Sequence, residues 1–446
     1  MQPGAESHAL DEVLAILAPF PSVHPPTVGG VRQAARERLA LERQQSMLRA
    51  LDQDMQRILP PIRDSAARLE LGMVPMAGAG VSVEESLTRR APIMGVGSGT
   101  AGFAGVTDRD RGGTAVQLVT SWSEYERLFG SPFRPSNGQL AQRFLPDAVR
   151  GFFANGGTRA YIARVSPGSD TMVSDADYLG ESDPPTGLAA LATIQEIRLL
   201  LVPGVTSPVV QQAMVAQCET HRDRVAILDL PLERATPWAA LPLDTPFAAA
   251  YWPWITLRDA SGGRVVVPPS GAIAGQYARL PAHRAPRNEP IAGAIDLSTK
   301  MSAADQSQWT AARINPLRLL AGRPGPVVWG VRTLSNDPDW RFLPVRRQAI
   351  YLERSLVDGL HWTVFEPSDE TLWRTVVRQA ENFLVGEWRS GALLGTKSEH
   401  AFFVKCDRTT MTQADIAAGR LVVAIGFAPI RPGEFVIIRI NLGTAR

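Results

Sequence analysis

The sequence has little cysteine, and its two cysteines lie far apart. Cys218 and Cys406 are the only ones in 446 residues. Two distant cysteines form neither a metal-ligand pattern nor a disulfide framework, so we expect two buried free thiols. No stretch approaches the ~20 apolar residues of a membrane-spanning helix, and no basic segment followed by an apolar one opens the chain. These absences predict assembly in the cytoplasm without direct insertion into a membrane.

Lysine is also scarce. Lys300, Lys397 and Lys405 are the only lysines among 46 basic residues, and the rest are arginine. Arginine suits bidentate pairing with carboxylates at interfaces, although a codon bias explains the same composition. The formal net charge is only +2, so no field of the whole molecule favours nucleic acid. A hydrophobic fraction of 45% allows a large core in two to four domains.

Motifs of catalysis and cofactor binding are missing from the sequence. It contains no phosphate-loop lysine motif, no HExxH, no CxxC and no GxSxG, and its six histidines are not spaced as metal ligands. Gly97, Gly99 and Gly102 match a dinucleotide fingerprint by spacing, but strand and loop residues follow where that site needs a helix. We therefore expect no enzyme activity, no cofactor and no metal. A soluble α/β nucleotide-binding enzyme remains the less favoured alternative.

The chain alternates between strand and helix patterns, which predicts a mixed α/β fold. EIRLLLVPG (196–204) and RVAILDL (224–230) are typical of buried strands, and a helix from Pro208 to about His221 separates them. Such a β-α-β unit predicts a parallel pair in a covered sheet. Further upstream, SWSEYERLFG (121–130) predicts a helix with Ser123 as its N-cap.

The C-terminal third predicts two long helices and several strands. Helices are expected over VRRQAIYLERSLVDGL (345–360) and ETLWRTVVRQAENFLVGEWRSG (370–391). Strands are expected over VVWGVRTL, HWTVFEP, AFFVKCD and RLVVAIGFAPI, with a short helix around Gln413 to Ala418. The final strand, EFVIIRIN (434–441), follows Arg431, Pro432 and Gly433. It is either an edge strand of its own sheet or a strand that pairs with the open sheet edge of a neighbour.

Several blocks in order resemble the sheath protein of contractile phage tails and related injection systems. The resemblance extends from about Met76 to Ile440. It includes GVSVEESLTRRAPIMGV, AVRGFFANGGTRAYIARV, VPPSGAIAGQYAR, VFEPSDETLWRTVVRQAENFL and TMTQADIAAGRLVVAIGFAPIRPGEFVIIRI. It implies a structural subunit that polymerises in six-fold helical rings around an inner tube and contracts to drive the tube through a target envelope.

The resemblance also implies partners and interface residues. The partners are copies of the chain, an inner tube protein, and baseplate and cap proteins, all within a phage tail or tail-like particle. The terminal strands are exchanged between subunits. The exchanged C-terminal strand comprises Glu434, Phe435, Val436, Ile437, Ile438, Arg439 and Ile440. The N-terminal arm includes Val81, Val83, Glu84 and Glu85, and the surface facing the tube includes Thr412, Asp415 and Arg420.

Four regions follow from the patterns and the resemblance together. Residues 1–77 form a helical extension, 78–165 the arm and a β-rich sheath segment, 166–295 an α/β middle domain, and 296–446 a C-terminal domain with the exchanged strand. Members of the family usually begin close to the arm, so the 77 additional residues are a departure. They favour a second hypothesis, in which the chain is a sheath-fold variant that forms a baseplate-proximal or cap ring.

Overall fold

The computed structural model describes residues 91–108, 116–130, 144–166, 173–233, 242–258, 262–286, 288–430 and 436–444. The arm residues Val81, Val83, Glu84 and Glu85 lie outside them, as do Glu434 and Phe435. Eleven strands are found before residue 340: β1 (Ala101–Gly105), β2 (Val116–Val119), β3 (Ala160–Arg164), β4 (Leu199–Leu201), β5 (Val225–Asp229), β6 (Ala248–Trp252), β7 (Ile255–Arg258), β8 (Arg264–Val267), β9 (Ala294–Leu297), β10 (Ile314–Leu319) and β11 (Pro326–Val328).

Eight of these strands form one sheet, in the order β11-β10-β6-β5-β4-β1-β3-β2. The six inner strands are parallel, and only the outermost strands, β2 and β11, run antiparallel to their neighbours. Every residue of β1, β4, β5 and β6 is buried, as expected for strands covered on both faces. The predicted α/β fold and the predicted parallel β-α-β pair are confirmed.

Seven helices accompany this sheet: α1 (Trp122–Phe129), α2 (Leu145–Ala154), α3 (Asp175–Leu179), α4 (Gly187–Ala192), α5 (Pro208–His221), α6 (Ser270–Arg279) and α7 (Ala303–Ala311). Helices α2 and α6 pack very closely, because α6 has glycine at the two positions where it meets α2. A Cβ atom on Gly271 would lie 2.2 Å from the carbonyl oxygen of Ala148. One on Gly275 would lie 2.3 Å from the carbonyl oxygen of Phe152. The backbones of the two helices are therefore in direct contact.

The C-terminal part has a separate core. Its helices are α8 (Leu343–Gly359), α9 (Glu370–Arg389), α10 (Ser398–Ala401) and α11 (Gln413–Ala417), and its strands are β12 (Phe402–Lys405), β13 (Arg420–Phe427) and β14 (Val436–Gly443). The strands form an antiparallel sheet in the order β12-β13-β14. In α9, Leu372, Trp373, Val376, Ala380 and Leu384 are buried, which gives one apolar stripe at helical spacing. This stripe and the buried face of the sheet belong to the same core.

Three local predictions are wrong. The N-cap of α1 is Ser121 rather than Ser123, since the Ser121 hydroxyl accepts a hydrogen bond from the amide of Glu124. HWTVFEP forms a 3₁₀ helix over His361–Phe365 rather than a strand. In VVWGVRTL only the first two residues belong to a strand, β11. Sequence patterns also missed a small antiparallel sheet, β8-β7-β9, whose strands of four residues are too short to show a period.

Candidate subunit interfaces

The described part of the predicted exchanged strand is paired within its own chain. Val436 to Ile440 belong to β14, which aligns with β13 over eight residues, from Phe427 opposite Val436 to Arg420 opposite Gly443. In the isolated chain β14 is therefore the edge strand of its own sheet. Exchange of this strand between copies stays a prediction.

The two faces of β14 differ sharply. Ile438, Ile440 and Leu442 are buried in the C-terminal core, whereas Arg439 and Asn441 are exposed. Burying one such aliphatic side chain stabilises a fold by roughly 2 kcal/mol. Since this energy arises from side-chain contacts with β13 and the helices, an identical strand from another copy would recover it.

The end of β14 is held by polar contacts to two other segments. The amide of Thr444 donates to the carbonyl of Gly419 over 2.8 Å, and the Thr363 hydroxyl donates to the carbonyl of Gly443 over 3.2 Å. Thr363 belongs to the 3₁₀ helix, in which Phe365 is 79% exposed and Val364 is 38% exposed. An apolar patch therefore lies on the helix that holds the end of β14.

The three predicted tube-facing residues bind one another. The Thr412 hydroxyl and amide both donate to Asp415 Oδ2, over 2.6 and 2.9 Å, and the Asp415 amide donates back to Thr412 Oγ1. Arg420 donates from Nε and Nη2 to Asp415 Oδ1, over 2.9 and 2.7 Å. The bonds from Thr412, and after them those from Arg420, lower the pKa of Asp415 to about 2. The cluster caps α11 and ties it to the first residue of β13; tube contact stays a prediction.

Two adjacent arginines of α8 connect it to the part of the chain that contains the large sheet. Arg347 is buried and donates from Nη2 to the carbonyls of Ser98 and Tyr277, over 3.1 and 2.9 Å. Arg346 is 4% exposed, and its guanidinium carbon lies 4.4 Å from the ring centroid of Phe247, in the core of the large sheet, and 3.4 Å from that of Trp340. Burial lowers the pKa of Arg347 to about 10 and that of Arg346 to about 9, so both remain charged at neutral pH.

Sequence reasoning missed this arginine pair. The signal was present, since Arg346 and Arg347 lie beside Val345 and Ala349, which are buried residues on the apolar side of the helix. Long cationic side chains at such positions pack their stems against apolar surface and direct the guanidinium to a partner. Here the partners are carbonyl oxygens and aromatic rings, which no spacing rule predicts.

A cavity of about 420 Å³ opens beside these arginines. Its lining includes His283 and Arg284 on one side and Pro344, Gln348 and Ile430 on the other. Gln348 is 1% exposed, and within the described ranges neither atom of its side-chain amide has a hydrogen-bond partner. Burial, and then the charge of Arg284, lower the pKa of His283.

One buried carboxylate has a structural role. Asp229 is fully buried at the end of β5 and accepts bonds from the Ser270 hydroxyl (2.6 Å), the Ser270 amide (3.0 Å) and the Gly204 amide (3.0 Å). Burial raises its pKa to about 6, while these bonds act in the opposite direction. Asp229 thus fixes the turn after β4 and the first residue of α6.

Two of the three glycines of the supposed dinucleotide fingerprint, Gly99 and Gly102, serve packing, whereas a side chain at Gly97 would meet no atom within 4 Å. They lead directly into β1, and no helix begins there. A Cβ atom on Gly99 would lie 2.6 Å from the carbonyl oxygen of Ala278, and one on Gly102 would lie 2.7 Å from Ile197 Cδ1. Among the residues whose positions are described, no three His, Cys, Asp or Glu side chains gather as metal ligands. In the same part of the chain, no helix is both long and apolar enough to span a bilayer.

Comparison with known proteins points to one family. The family model for the phage tail sheath C-terminal domain matches residues 335–443. The contracted helical sheath of the anti-feeding prophage contains a chain that is 27% identical, with a TM-score of 0.65, and the match covers 82% of this chain and 99% of that one. The contracted sheath complex of the PVC extracellular contractile injection system contains a chain that is 28% identical, with a TM-score of 0.64. That match covers 82% of this chain and 98% of the other.

A more distant structure shares only the fold. The sheath tail protein Lin1278 of Listeria innocua is 11% identical with a TM-score of 0.57, and the match covers 79% of this chain and 96% of that one. No curated protein is similar enough to match the sequence. The matched C-terminal domain and the near-complete coverage of two sheath subunits agree with the α/β architecture and the C-terminal sheet. Residues 335–443 therefore form a phage tail sheath C-terminal domain, and over most of its length the chain is similar to the subunits of two contractile sheaths.

Proposed function

We propose that the chain is the structural subunit of a contractile sheath. It polymerises in six-fold helical rings around an inner tube and contracts to drive that tube through a target envelope. The observation that carries this proposal is the match over 82% of the chain to subunits of two sheaths in the contracted state. Its role is mechanical rather than enzymatic, and its partners are further copies of itself, the tube protein, and baseplate and cap proteins. It is assembled in the cytoplasm as part of a phage tail or tail-like particle.

The subunits are linked through exchanged strands. In this arrangement Glu434 to Ile440 of one copy pair with β13 of the next, and Val81 to Glu85 form the arm that joins the same mesh. Two features of β14 support the proposal: its buried apolar face and the backbone edge that pairs with β13. A β14 strand from another copy would make the same contacts through both. Contacts that run from one copy to the next without closing generate a filament, and a continuous mesh holds the copies together as they rotate and repack.

The test is assembly of the purified chain, alone and with its tube protein, viewed by negative-stain electron microscopy. The full chain and a control that ends at Thr444 are expected to form striated tubes. A chain that ends at Pro432 lacks β14 and is expected to form none. Tubes of normal length from the shorter chain would overturn the exchanged strand, and absence of any tube from the full chain would overturn the sheath subunit.

A specialised ring is the second candidate. The observation in its favour is a match to a chain in the six-fold symmetrised baseplate of the anti-feeding prophage, at 27% identity and a TM-score of 0.64. The 77 residues before the arm would then serve a partner at one end of the particle. Deleting residues 1–77 separates the two candidates. If sheath length and contraction are unchanged, residues 1–77 give no support to a specialised ring. If the chain no longer attaches to one end of the particle, the specialised ring is supported.

Contact with the tube needs variants outside the capping cluster. Thr412, Asp415 and Arg420 bind each other, so substituting them alters the local fold together with any interface. Gln413 and Ala417 lie on the same short helix and are exposed. We expect Gln413→Glu and Ala417→Glu to weaken tube binding while leaving the unfolding temperature unchanged. Full tube binding by both variants would exclude this surface.

A further inference from the structure

The same strand that is proposed to link copies already fills a position in its own subunit. All eight residues of β14 are in register with β13, without a bulge, and the end of the strand is secured by Thr363 and by Gly419. The neighbours of β14 in the core, Leu421, Val423 and Ile425 of β13, are 0% exposed. The edge of β13 that would receive a neighbour's strand is therefore occupied in the isolated chain.

An empty edge would be strongly unfavourable. Without β14, the three aliphatic side chains of β13 would lose the strand that covers them, and eight residues of backbone would lose their ladder partner. Exposed edges of this kind pair indiscriminately with other chains. A subunit that must remain separate before assembly therefore needs a strand of its own at this position.

We infer that the unassembled subunit is self-capped: its own β14 occupies the place beside β13 that a neighbour's β14 takes in the sheath, and a copy can join the sheath through this edge only after that strand leaves. The inference rests on the proposed strand exchange and adds how that exchange is controlled. The intramolecular and intermolecular pairings make the same side-chain contacts, so their difference in free energy is small and copies can be added without a large driving force. Residues 428–435 connect the two strands along the chain.

One pair of positions can report both pairings. Ala424 and Arg439 are register partners between β13 and β14, and they lie on the face opposite the buried Ile438 and Ile440. Directly opposed residues in antiparallel strands are close enough for a disulfide. The variant Ala424→Cys/Arg439→Cys would form an intramolecular disulfide in the capped subunit and an intermolecular one after exchange. Ala424→Cys/Gly443→Cys is the matched control, since its two positions are offset by about 14 Å along the strands.

The experiment oxidises the double-cysteine protein either before or after assembly. Oxidation before assembly is expected to give a cross-linked monomer on a non-reducing gel and to abolish tube formation, and reductant should restore it. Oxidation after assembly should give a ladder of covalent oligomers. The control should assemble under both conditions. If the double variant does not assemble when reduced, Val422→Cys/Asn441→Cys, the next register pair on the same face, replaces it.

The possible failures are distinguishable. Normal assembly of the cross-linked monomer, or failure of the separate subunit to form the intramolecular disulfide, would overturn self-capping. A ladder after assembly would still support strand exchange in either case. Intramolecular cross-links alone in assembled tubes would instead overturn the exchange on which the inference rests.

Discussion

Arg347 contacts Tyr277 in two ways: it donates a 2.9 Å hydrogen bond to the Tyr277 carbonyl, and its guanidinium carbon lies 4.9 Å from the centre of the Tyr277 ring. The two residues belong to α8 and α6, and they are 70 positions apart along the chain. A further bond from Arg347 to the Ser98 carbonyl adds a third segment. One side chain therefore fastens the helix that begins the C-terminal part to the part that contains the large sheet.

Replacing this arginine should destabilise the subunit. In Arg347→Ala, two carbonyl oxygens lose their donor and the ring of Tyr277 loses its cover, so we expect the free energy of unfolding to fall by about 3 kcal/mol. Arg378→Ala, at an exposed position of α9, should change it by less than about 0.5 kcal/mol. Urea denaturation measures both. Equal effects for the two variants would contradict the role of Arg347 as a fastener.

Two helical glycines should respond oppositely to alanine. Gly271→Ala places a methyl group 2.2 Å from the Ala148 carbonyl, so α2 and α6 must separate, and we expect a loss of about 3 kcal/mol or failure to fold. Gly386 is exposed on α9, and a methyl group added there would meet no atom within 4 Å, so Gly386→Ala should stabilise by about 0.5–1 kcal/mol. Thermal unfolding of both variants checks this. Tolerance of alanine at residue 271 would disprove the close packing.

The buried Asp229 should make the stability of the folded state depend on pH. Its pKa is about 6 in the folded state and about 3.9 in the unfolded chain, so between these values the folded state binds the additional proton. Stability contributed by this group is therefore lost as pH rises from about 4 to about 6, by about 3 kcal/mol in total. Above pH 6 the buried carboxylate is charged, and the hydrogen bonds from Ser270 and Gly204 stabilise that charge.

Ser270→Ala tests this carboxylate. The variant removes the hydroxyl donor and leaves the Ser270 and Gly204 amides in place. We expect it to destabilise by about 2 kcal/mol at pH 7.5, where the carboxylate is charged, and by about 1 kcal/mol at pH 4.5, where it is protonated. The exposed Ser182→Ala is the control. Equal destabilisation by Ser270→Ala at the two pH values would refute a charged Asp229 at neutral pH.

Asp415 should show the opposite pH dependence. Its pKa is about 2 in the folded state, below the ordinary value of 3.8, so the stability that it contributes is present above pH 4 and is lost as pH falls towards 2. We expect Asp415→Ala to lower the unfolding temperature at pH 6 and to differ little from the unaltered chain near pH 2.5. Scanning fluorimetry of both proteins, with Gln413→Ala as the control on the same helix, measures the difference. A constant difference across this range would exclude the capping role.

Strong local patterns predicted some elements closely. The helix expected from Pro208 to about His221 has those bounds, because proline can begin a helix and the flanking strands are uniformly apolar. The cap of α11 was not predicted, although Thr412 followed three residues later by Asp415 has the spacing of a capping box. Arg420 joins that cluster only through the fold, because a turn brings it back to the helix.

Other elements depend on contacts that the sequence does not encode locally. Strand β7 has only four residues, so no alternation is visible, and it is held by pairing with β8 on one side and β9 on the other. The 3₁₀ helix at His361 contains tryptophan, threonine, valine and phenylalanine, which favour a strand, yet it is held by the Thr363 contact to β14. Tertiary contacts outweigh propensity in both cases.

The short connection between β13 and β14 has a consequence for inhibition. Only residues 428–435 separate the paired strands along the chain, so the tether holds β14 at an effective concentration in the millimolar range. A free peptide that copies β14 would have to exceed that concentration to displace the strand. Synthetic copies of the C-terminus should therefore be poor blockers of tube growth, whereas a tethered neighbour at a growing end, which presents its strand at a similar local concentration, competes on equal terms.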